Sequence, residues 1–257
     1  MRKILVFGYG IGCYLLFLAT FLYAIGFVGN LFVPKSIDSG APGPFWLSVS
    51  INVALLGLFG IQHSVMARPK FKQWWTKIVP VPIERSTYVL AASLTLIVLF
   101  WQWRPLPQIV WSVHSDVGRM ALWSLCGLGW SLVLISTFLI SHAHLFGVSQ
   151  VHAYLRRKQL SEPDFQTPSL YRYVRHPMQA GFLIAFWATP LMTGGRLVFA
   201  LVTTVYILAA LQLEERDLIR FFGRRYEAYR ESVPMLIPKF ARGHVAKKST
   251  PAAEKVE

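Results

Sequence analysis

Charged residues are scarce in this sequence of 257 residues, and acidic residues are the scarcest of them. Aspartate and glutamate together number 12, and charged residues make up 15% of the chain, against about a quarter in soluble domains. Hydrophobic residues reach 54%. This composition excludes an ordinary soluble domain. The 18 phenylalanines, 10 tyrosines and 9 tryptophans also exclude a disordered, low-complexity chain.

Cysteines and the common catalytic motifs are also rare or missing. The two cysteines, Cys13 and Cys126, lie in apolar runs, where packing is a more common role than a disulfide. The sequence has no phosphate-binding loop and no Gly-x-Ser-x-Gly motif. The glycines of residues 8–12 lie in an apolar run without a preceding strand, so we expect them to serve helix packing. His142 and His144 lack both helical ligand spacing and cysteine or carboxylate partners, which argues against a metal site.

Long apolar runs dominate what remains. Six stretches contain no Asp, Glu, Lys, Arg or His, and each is close to the roughly 20 residues that cross a bilayer as a helix. They cover residues 4–34, 39–62, 86–103, 120–141, 177–195 and 197–213. We therefore predict an all-α, polytopic membrane protein with about six transmembrane helices in a single domain, residues 1–240, followed by a disordered basic tail, residues 241–257. The last two runs are separated at Gly194, Gly195 and Arg196, which predicts a helical hairpin.

The basic residues give the predicted topology. With the N-terminus in the cytoplasm, 22 of the 26 lysines and arginines fall on the cytoplasmic side, as the positive-inside rule requires. The four on the other side are Lys35, Arg104, Arg119 and Arg196. We therefore expect a multi-pass protein of the cytoplasmic membrane with both termini inside. The formal net charge is +14. Because basic residues next to membrane helices face anionic lipid, we expect them to interact with membrane lipid and not with nucleic acid.

Ionisable residues at the predicted cytoplasmic helix ends suggest a functional site. Such groups are costly at membrane depth and tend to face a cavity, a partner or water. Each residue taken alone could simply mark a helix end, but the set as a whole favours one shared polar site. Its members are His63, His142, His144, His176, Glu214 and Glu215.

Four submotifs in the last third of the chain carry a family resemblance. In chain order they are LYRYVRHPMQAG at 170–181, EERDL at 214–218, FGRRYEAY at 222–229 and VPMLIP at 233–238. Together they resemble the C-terminal signature of the isoprenylcysteine carboxyl methyltransferase and phospholipid methyltransferase superfamily. Two further segments, QHSVMAR at 62–68 and SHAHLFGVSQ at 141–150, resemble the branch that holds the bacterial methanethiol S-methyltransferases and the NnrU-like membrane proteins, with the former the closer match.

This resemblance implies S-adenosylmethionine as the methyl donor, bound at the cytoplasmic face by residues 142–240. Pro177 is expected at the first position of a helix, where it has no amide donor to lose. His176 and the free amide groups of the next turn could then bind a carboxylate, such as that of the donor's methionine moiety. The glutamates point to different helix faces, so one can accept from ribose hydroxyls or balance the cationic donor while the other pairs with Arg216, Arg220 or Arg175. Many relatives have tyrosine at the position of Gln179, so no role of that tyrosine is transferred. The candidate donor-binding residues are Tyr171, Arg175, His176, Pro177, Met178, Glu214, Glu215 and Tyr226.

The same resemblance implies a small thiol as acceptor, most closely methanethiol, which would be converted to dimethyl sulfide. Because a thiol is mostly protonated at neutral pH, the reaction needs a proton acceptor. We predict His142 in that role, His63 as a second candidate, and Gln150 as an orienting residue. Two alternatives stay open: a prenylcysteine or phospholipid methyltransferase that shares the donor site, and a non-enzymatic haem carrier or transporter that uses the histidines as ligands.

Overall fold

Five long apolar helices form the body of the protein in a computed structural model that describes residues 1–160 and 165–238. Each is long and apolar enough to cross a membrane. They are α1 (Arg2–Gly29), α2 (Phe45–Ala67), α4 (Val81–Gln102), α5 (Asp116–Ile140) and α9 (Gly194–Phe222). Many of their large apolar side chains are exposed, as expected where lipid covers the surface. The prediction of an all-α membrane protein is thus confirmed, while the predicted tail at 241–257 lies outside the described residues.

Shorter elements connect these helices. Five of them are helical: α3 (Pro69–Trp75), α6 (His142–Leu145), α7 (Val148–Arg156), α8 (Pro177–Trp187) and α10 (Arg224–Ser232). A 3₁₀ turn covers Ser169–Arg172. Two short antiparallel strands, β1 (Ile109–Ser112) and β2 (Leu191–Thr193), pair with each other, Ile109 opposite Thr193 and Ser112 opposite Leu191.

The predicted fifth transmembrane helix differs from expectation. The apolar run at 177–195 is helical only as far as Trp187, so α8 has 11 residues and rises only about 16 Å. The chain then continues in extended form through β2, and Gly194 and Gly195 begin α9 instead of separating two helices. The physical cause lies at Pro190, since a proline disfavours helix in the residue before it. The predicted hairpin exists, but its turn is extended chain and its first arm is a half-length helix.

Close helix packing holds α8 against α5. A Cβ atom on Gly129 would lie 2.7 Å from the Gly181 carbonyl oxygen, and one on Gly181 would lie 2.7 Å from the Gly129 carbonyl oxygen. Any side chain at either position would push the two backbones apart, which explains the small residues at this crossing. The glycines of residues 8–12 behave partly as predicted, because Gly10 packs directly against Val151 of α7, whereas Gly8 and Gly12 face open space.

A buried ion pair fixes one end of the molecule. Arg196, which is 5% exposed, donates from Nε to Asp38 Oδ2 at 2.8 Å and from Nη1 to the Thr189 hydroxyl at 2.8 Å. Thr193 caps α9 by accepting from the Arg196 amide, and its hydroxyl lies 2.5 Å from Asp38 Oδ1. The extended turn between α8 and α9 is thereby anchored to the loop after α1.

The short helices gather at the other end, which we call the α10 end; it consists of α3, α6, α7, α10 and the adjoining termini of the long helices. Contacts between distant segments define it: Arg68 Nη1 donates to Asp217 Oδ2 at 2.8 Å, and Arg85 Nε donates to the Leu145 carbonyl at 2.7 Å. Gly10 against Val151 adds the first helix to the same end. The ionisable residues singled out by the sequence all belong to the helix segments that meet here.

Candidate active site

The Arg-His-Pro segment meets the glutamate pair through one carboxylate, that of Glu215. This side chain lies on α9, is 3% exposed, and accepts from Arg175 Nε at 2.7 Å and from His176 Nε2 at 3.1 Å, both at Oε1. Arg230 of α10 places its Nε 3.4 Å from Oε2. Because a carboxylate only accepts, His176 carries a proton on Nε2. The prediction that one glutamate pairs with an arginine is therefore confirmed, and that glutamate is Glu215.

The chain after α10 closes over this ion pair. The amide of Arg175 donates to the Pro234 carbonyl at 2.9 Å, and the amide of His176 donates to the Met235 carbonyl at 3.1 Å. Arg175 Nη1 donates to the carbonyls of Arg230 and Val233. Pro177 stands at the first position of α8 with His176 as its N-cap residue, as predicted, and Met178 follows in the first turn, partly buried.

Aromatic side chains surround the ion pair. Tyr226 packs edge-on against Tyr229 and Phe165, and the Tyr229 hydroxyl donates to the Tyr171 carbonyl at 2.5 Å. The Tyr226 side chain is 3% exposed, and its hydroxyl has no hydrogen-bond partner within residues 1–160 and 165–238. A buried hydroxyl without a partner is costly, so this atom is a position at which a ligand would supply the missing bond.

These phenols act as neutral hydrogen-bonding groups and not as bases. Burial raises the pKa of Tyr171, and the negative charge of Glu214 raises it further. Burial also raises the pKa of Tyr226, with Glu215 as a second cause, and burial raises the pKa of Tyr229 to about 12. All three therefore keep their protons at physiological pH.

Glu214 faces a different surrounding from its neighbour. It is partly buried, and the groups that act on it electrostatically include His176, Arg68 and Glu215. The Tyr88 and Tyr171 phenols also lie within electrostatic range of the Glu214 carboxylate. Glu214 thus lies within electrostatic range of both the network residue His176 and the Arg68 and Tyr88 side chains.

His63 contacts α4 instead of the ion pair. The Tyr88 hydroxyl lies 3.0 Å from both ring nitrogens of His63, and the His63 ring stacks on Phe59 with centroids 5.2 Å apart. One residue further along α2, the Ser64 hydroxyl reaches the Tyr206 hydroxyl of α9 at 3.3 Å. His63 therefore sits beside the α2–α9 contact, on the side of the site where Glu214 lies.

His142 is held by hydrogen bonds at both ring nitrogens. The Thr137 hydroxyl donates to the Leu134 carbonyl at 2.7 Å, so it accepts from His142 Nδ1 at 2.8 Å, and Nε2 then accepts from the Tyr14 hydroxyl at 3.0 Å. The ring also stacks on Phe138 at 4.3 Å. Burial lowers the pKa of His142, so the ring is neutral at pH 7. These partners belong to α1 and α5 and not to the α8–α9 network.

Gln150 and His144 form a separate polar group near α7. Gln150 Nε2 donates to the His144 carbonyl at 3.2 Å, while Gln150 Oε1 is buried without a partner in the described part of the chain. Burial lowers the pKa of His144, and the charges of Arg85 and Lys72 lower it further. The six ionisable residues predicted to share one site thus divide into several contact groups at the same end of the molecule.

Four residues of this region escaped the sequence analysis: Tyr14, Arg85, Tyr88 and Arg230. Tyr14 and Tyr88 lie inside apolar runs, where an aromatic residue is commonly a packing residue. Arg85 and Arg230 were counted only as topology-determining bases. The spacing of Arg85 and Tyr88 by three residues on one helix face was the available signal, and the structure places the Arg85 guanidinium 4.9 Å from the Tyr88 ring centroid.

Comparison with known proteins extends over most of the chain. The phospholipid methyltransferase family model matches residues 123–225. Methanethiol S-methyltransferase of Crocosphaera subtropica is 51% identical over 238 residues, which cover 93% of each chain. That of Mycobacterium tuberculosis is 53% identical over 238 residues, 93% of this chain and 98% of its own. Nurim of Xenopus laevis is 32% identical over 181 residues, 67% of this chain and 63% of its own. No solved structure matches.

Proposed function

Because this chain belongs to the methanethiol S-methyltransferase family, we propose that it transfers a methyl group from S-adenosylmethionine to methanethiol and forms dimethyl sulfide. The chain is a methyltransferase with several membrane-spanning helices. The identity of the methyl donor, the identity of the acceptor and the side of the membrane on which the site lies are our proposals. The observation that carries the proposal is the buried network of Arg175, His176 and Glu215 beside a Tyr226 hydroxyl that has no partner in the part of the chain that the structure describes.

The chemistry of this network fits the donor. S-adenosylmethionine would bring an electrophilic methyl group on a sulfonium, a carboxylate, an amine and ribose hydroxyls. Arg175 and Arg230 offer guanidinium donors for the carboxylate, and Glu214 offers an acceptor for hydroxyls or a counter-charge for the cation. Tyr226 and Tyr171 offer aromatic faces, and Tyr226 also offers a hydroxyl that no other described residue bonds. Pro177 and Met178 would hold the first turn of α8 against it.

The acceptor would bind between α2, α4 and α9. His63 is our preferred proton acceptor, since it lies at this contact, whereas the partners of His142, Thr137 and Tyr14, hold that ring on the side of α5 and α1. An apolar lining favours the reaction, because a thiolate and a sulfonium lose their charges as they react. Gln150, whose side-chain carbonyl oxygen is unpartnered among residues 1–160 and 165–238, remains a predicted orienting residue.

A panel of acceptors tests the proposed function directly. We expect the purified protein to form dimethyl sulfide from methanethiol and labelled donor, and to react more slowly as the alkyl chain of the thiol outgrows a closed pocket. Headspace gas chromatography measures the product. Prenylcysteine and phosphatidylethanolamine complete the panel, because the family model that matches residues 123–225 is that of the phospholipid methyltransferases. Labelled prenylcysteine or lipid without dimethyl sulfide would assign the protein to that chemistry instead.

The site is proposed to face the cytoplasm in the cytoplasmic membrane. The first residues of α1 and the α10 segment lie at the same end of the molecule, and the basic residues concentrate there, as the positive-inside rule requires. Reporter fusions at Met1 and after Pro238 should therefore both report a cytoplasmic location. A fusion in the loop at Lys35 provides the control and should report the opposite side. Termini on different sides would contradict the proposed topology.

A further inference from the structure

Arg85 is a cation whose position the proposed donor site does not explain. It lies in the first turns of α4, partly buried, and donates from Nε to the Leu145 carbonyl at 2.7 Å. Its guanidinium stands 4.9 Å from the ring centroid of Tyr88, the residue that hydrogen-bonds His63. Within residues 1–160 and 165–238 it forms no ion pair with a carboxylate. Beyond the Leu145 carbonyl and the Tyr88 ring, its guanidinium keeps N–H donors that an anionic ligand can use.

The groups around Arg85 make this region positive. Burial lowers the pKa of the Lys72 ammonium group on α3, and the nearby positive charge of Arg85 lowers it further. The negative charge of Glu84 raises the same pKa. Arg85 and Lys72 both lower the pKa of His144 on α6. Among the described residues, the titratable and charged groups within electrostatic range of Arg85 include Lys72 on α3, His63 on α2, Glu84 and Tyr88 on α4, and His144 on α6.

The region is also withdrawn from water. Among the described residues, the Glu84 Oε1 atom on the other side of Arg85 in sequence is buried without a hydrogen-bond partner. Ser86, next to Arg85, is fully buried and its hydroxyl also lacks a partner there, as does the indole nitrogen of Trp75 on α3. Both can donate a hydrogen bond. A cation in a partly buried region favours an anionic ligand over a neutral one, since electrostatic attraction is stronger where water is excluded.

The position of Arg85 connects to the donor side of the site. The Tyr88 hydroxyl lies within electrostatic range of the charges of both Arg85 and Glu214. Glu214 is the neighbour of Glu215, which binds Arg175 and His176. The contacts of Ser64 with Tyr206 and of Arg68 with Asp217 bring the same part of α2 against α9. An anion beside Arg85 and His63 would therefore approach the donor from the α2 and α4 side.

We propose that Arg85 binds and stabilises the thiolate of the acceptor, with His63 taking the thiol proton; this inference rests on the proposed function. The S–H bond breaks and its proton moves to a ring nitrogen of His63, which later releases it to water. The electron pair left on sulfur forms the new carbon–sulfur bond with the methyl group. The old bond to the donor sulfur breaks and its pair stays on that sulfur, so charge and atoms balance. Arg85 lowers the pKa of the bound thiol by holding its ionised form.

The test compares Arg85→Gln, Arg85→Lys and Lys70→Gln. Lys70 is exposed in the first turn of α3. Lys70→Gln therefore removes one positive charge, as Arg85→Gln does, but from a residue outside the proposed site. We expect Arg85→Gln to lower kcat/KM for methanethiol about 100-fold at neutral pH, comparable to loss of one anion-stabilising donor. The loss should shrink as the pH rises from about 7 to about 10, because more thiol is then ionised in solution. Arg85→Lys should recover much of the rate, and Lys70→Gln should equal the parent protein.

Two measurements without turnover separate this inference from its rivals. Titration with S-adenosylhomocysteine should give the parent affinity in Arg85→Gln; a large loss would mean that Arg85 serves the donor carboxylate and would overturn the proposal. The ultraviolet difference spectrum of methanethiol added to the S-adenosylhomocysteine complex should show thiolate in the parent protein and much less in Arg85→Gln. An equal fall in rate at every pH, with Arg85→Lys no better than Arg85→Gln, would reduce Arg85 to a structural residue. Absence of thiol methylation by the parent protein would instead refute the proposed function.

Discussion

Replacing Glu215 with alanine is expected to weaken binding of S-adenosylhomocysteine by about 100-fold or more, since two guanidinium groups and His176 converge on this one carboxylate. Without it, Arg175 and His176 lose the group that orients them toward the proposed donor. His176→Ala should weaken binding less, because Arg175 keeps its carboxylate partner. Isothermal titration measures both affinities.

The same change will also destabilise the protein, because removing one partner of a buried ion pair costs about 3–5 kcal/mol. Glu215→Gln keeps the volume and one acceptor oxygen, so it tests binding in a better-folded protein. Asp217→Asn is the matched control: it removes a carboxylate from the same helix, but one that pairs with Arg68 outside the network. Parent affinity in folded Glu215→Gln and His176→Ala would refute the assignment of the donor site.

The second large effect is expected at His63. His63→Ala should lower kcat for methanethiol by about 100-fold or more, as loss of a general base does, while leaving the affinity for S-adenosylhomocysteine close to that of the parent. The rise of the rate with pH should then follow the ionisation of the free thiol alone. Because Tyr88 hydrogen-bonds His63, Tyr88→Phe should lower kcat by a smaller factor.

His142→Ala decides between the two predicted proton acceptors. Both nitrogens of His142 bond to groups of the protein, so we expect this variant to lower thermal stability more than turnover. His152, exposed on α7, supplies the control variant His152→Ala, which should change neither. A loss of turnover in His142→Ala with an intact His63→Ala enzyme would reverse the assignment and support His142 as the base.

Local sequence signals predicted a large part of this molecule. The apolar runs predicted the long helices, because roughly 20 apolar residues have no other stable use than a membrane span or a buried core helix. The Arg-His-Pro order predicted Pro177 at the start of α8, because proline lacks the amide that a first helical position leaves unused. The adjacent glutamates predicted that one of them pairs with an arginine, because neighbours on a helix point to different faces.

Only the tertiary structure decided which groups meet. Sequence spacing could not show that Glu215 rather than Glu214 binds Arg175, since that depends on how α9 is rotated against α8 and α10. Nor could it show that His142 is held by Tyr14, 128 residues away, or that Tyr88 lies between His63 and Arg85. Nor did composition show where α8 ends and the extended chain after Trp187 begins. An apolar segment can be helical or extended at membrane depth once its backbone N–H and C=O groups are hydrogen-bonded, and here β1 and Thr189 provide hydrogen bonds to the extended part. Helix formation is a local property of the sequence, whereas the pairing of side chains across helices is fixed by packing over the whole chain.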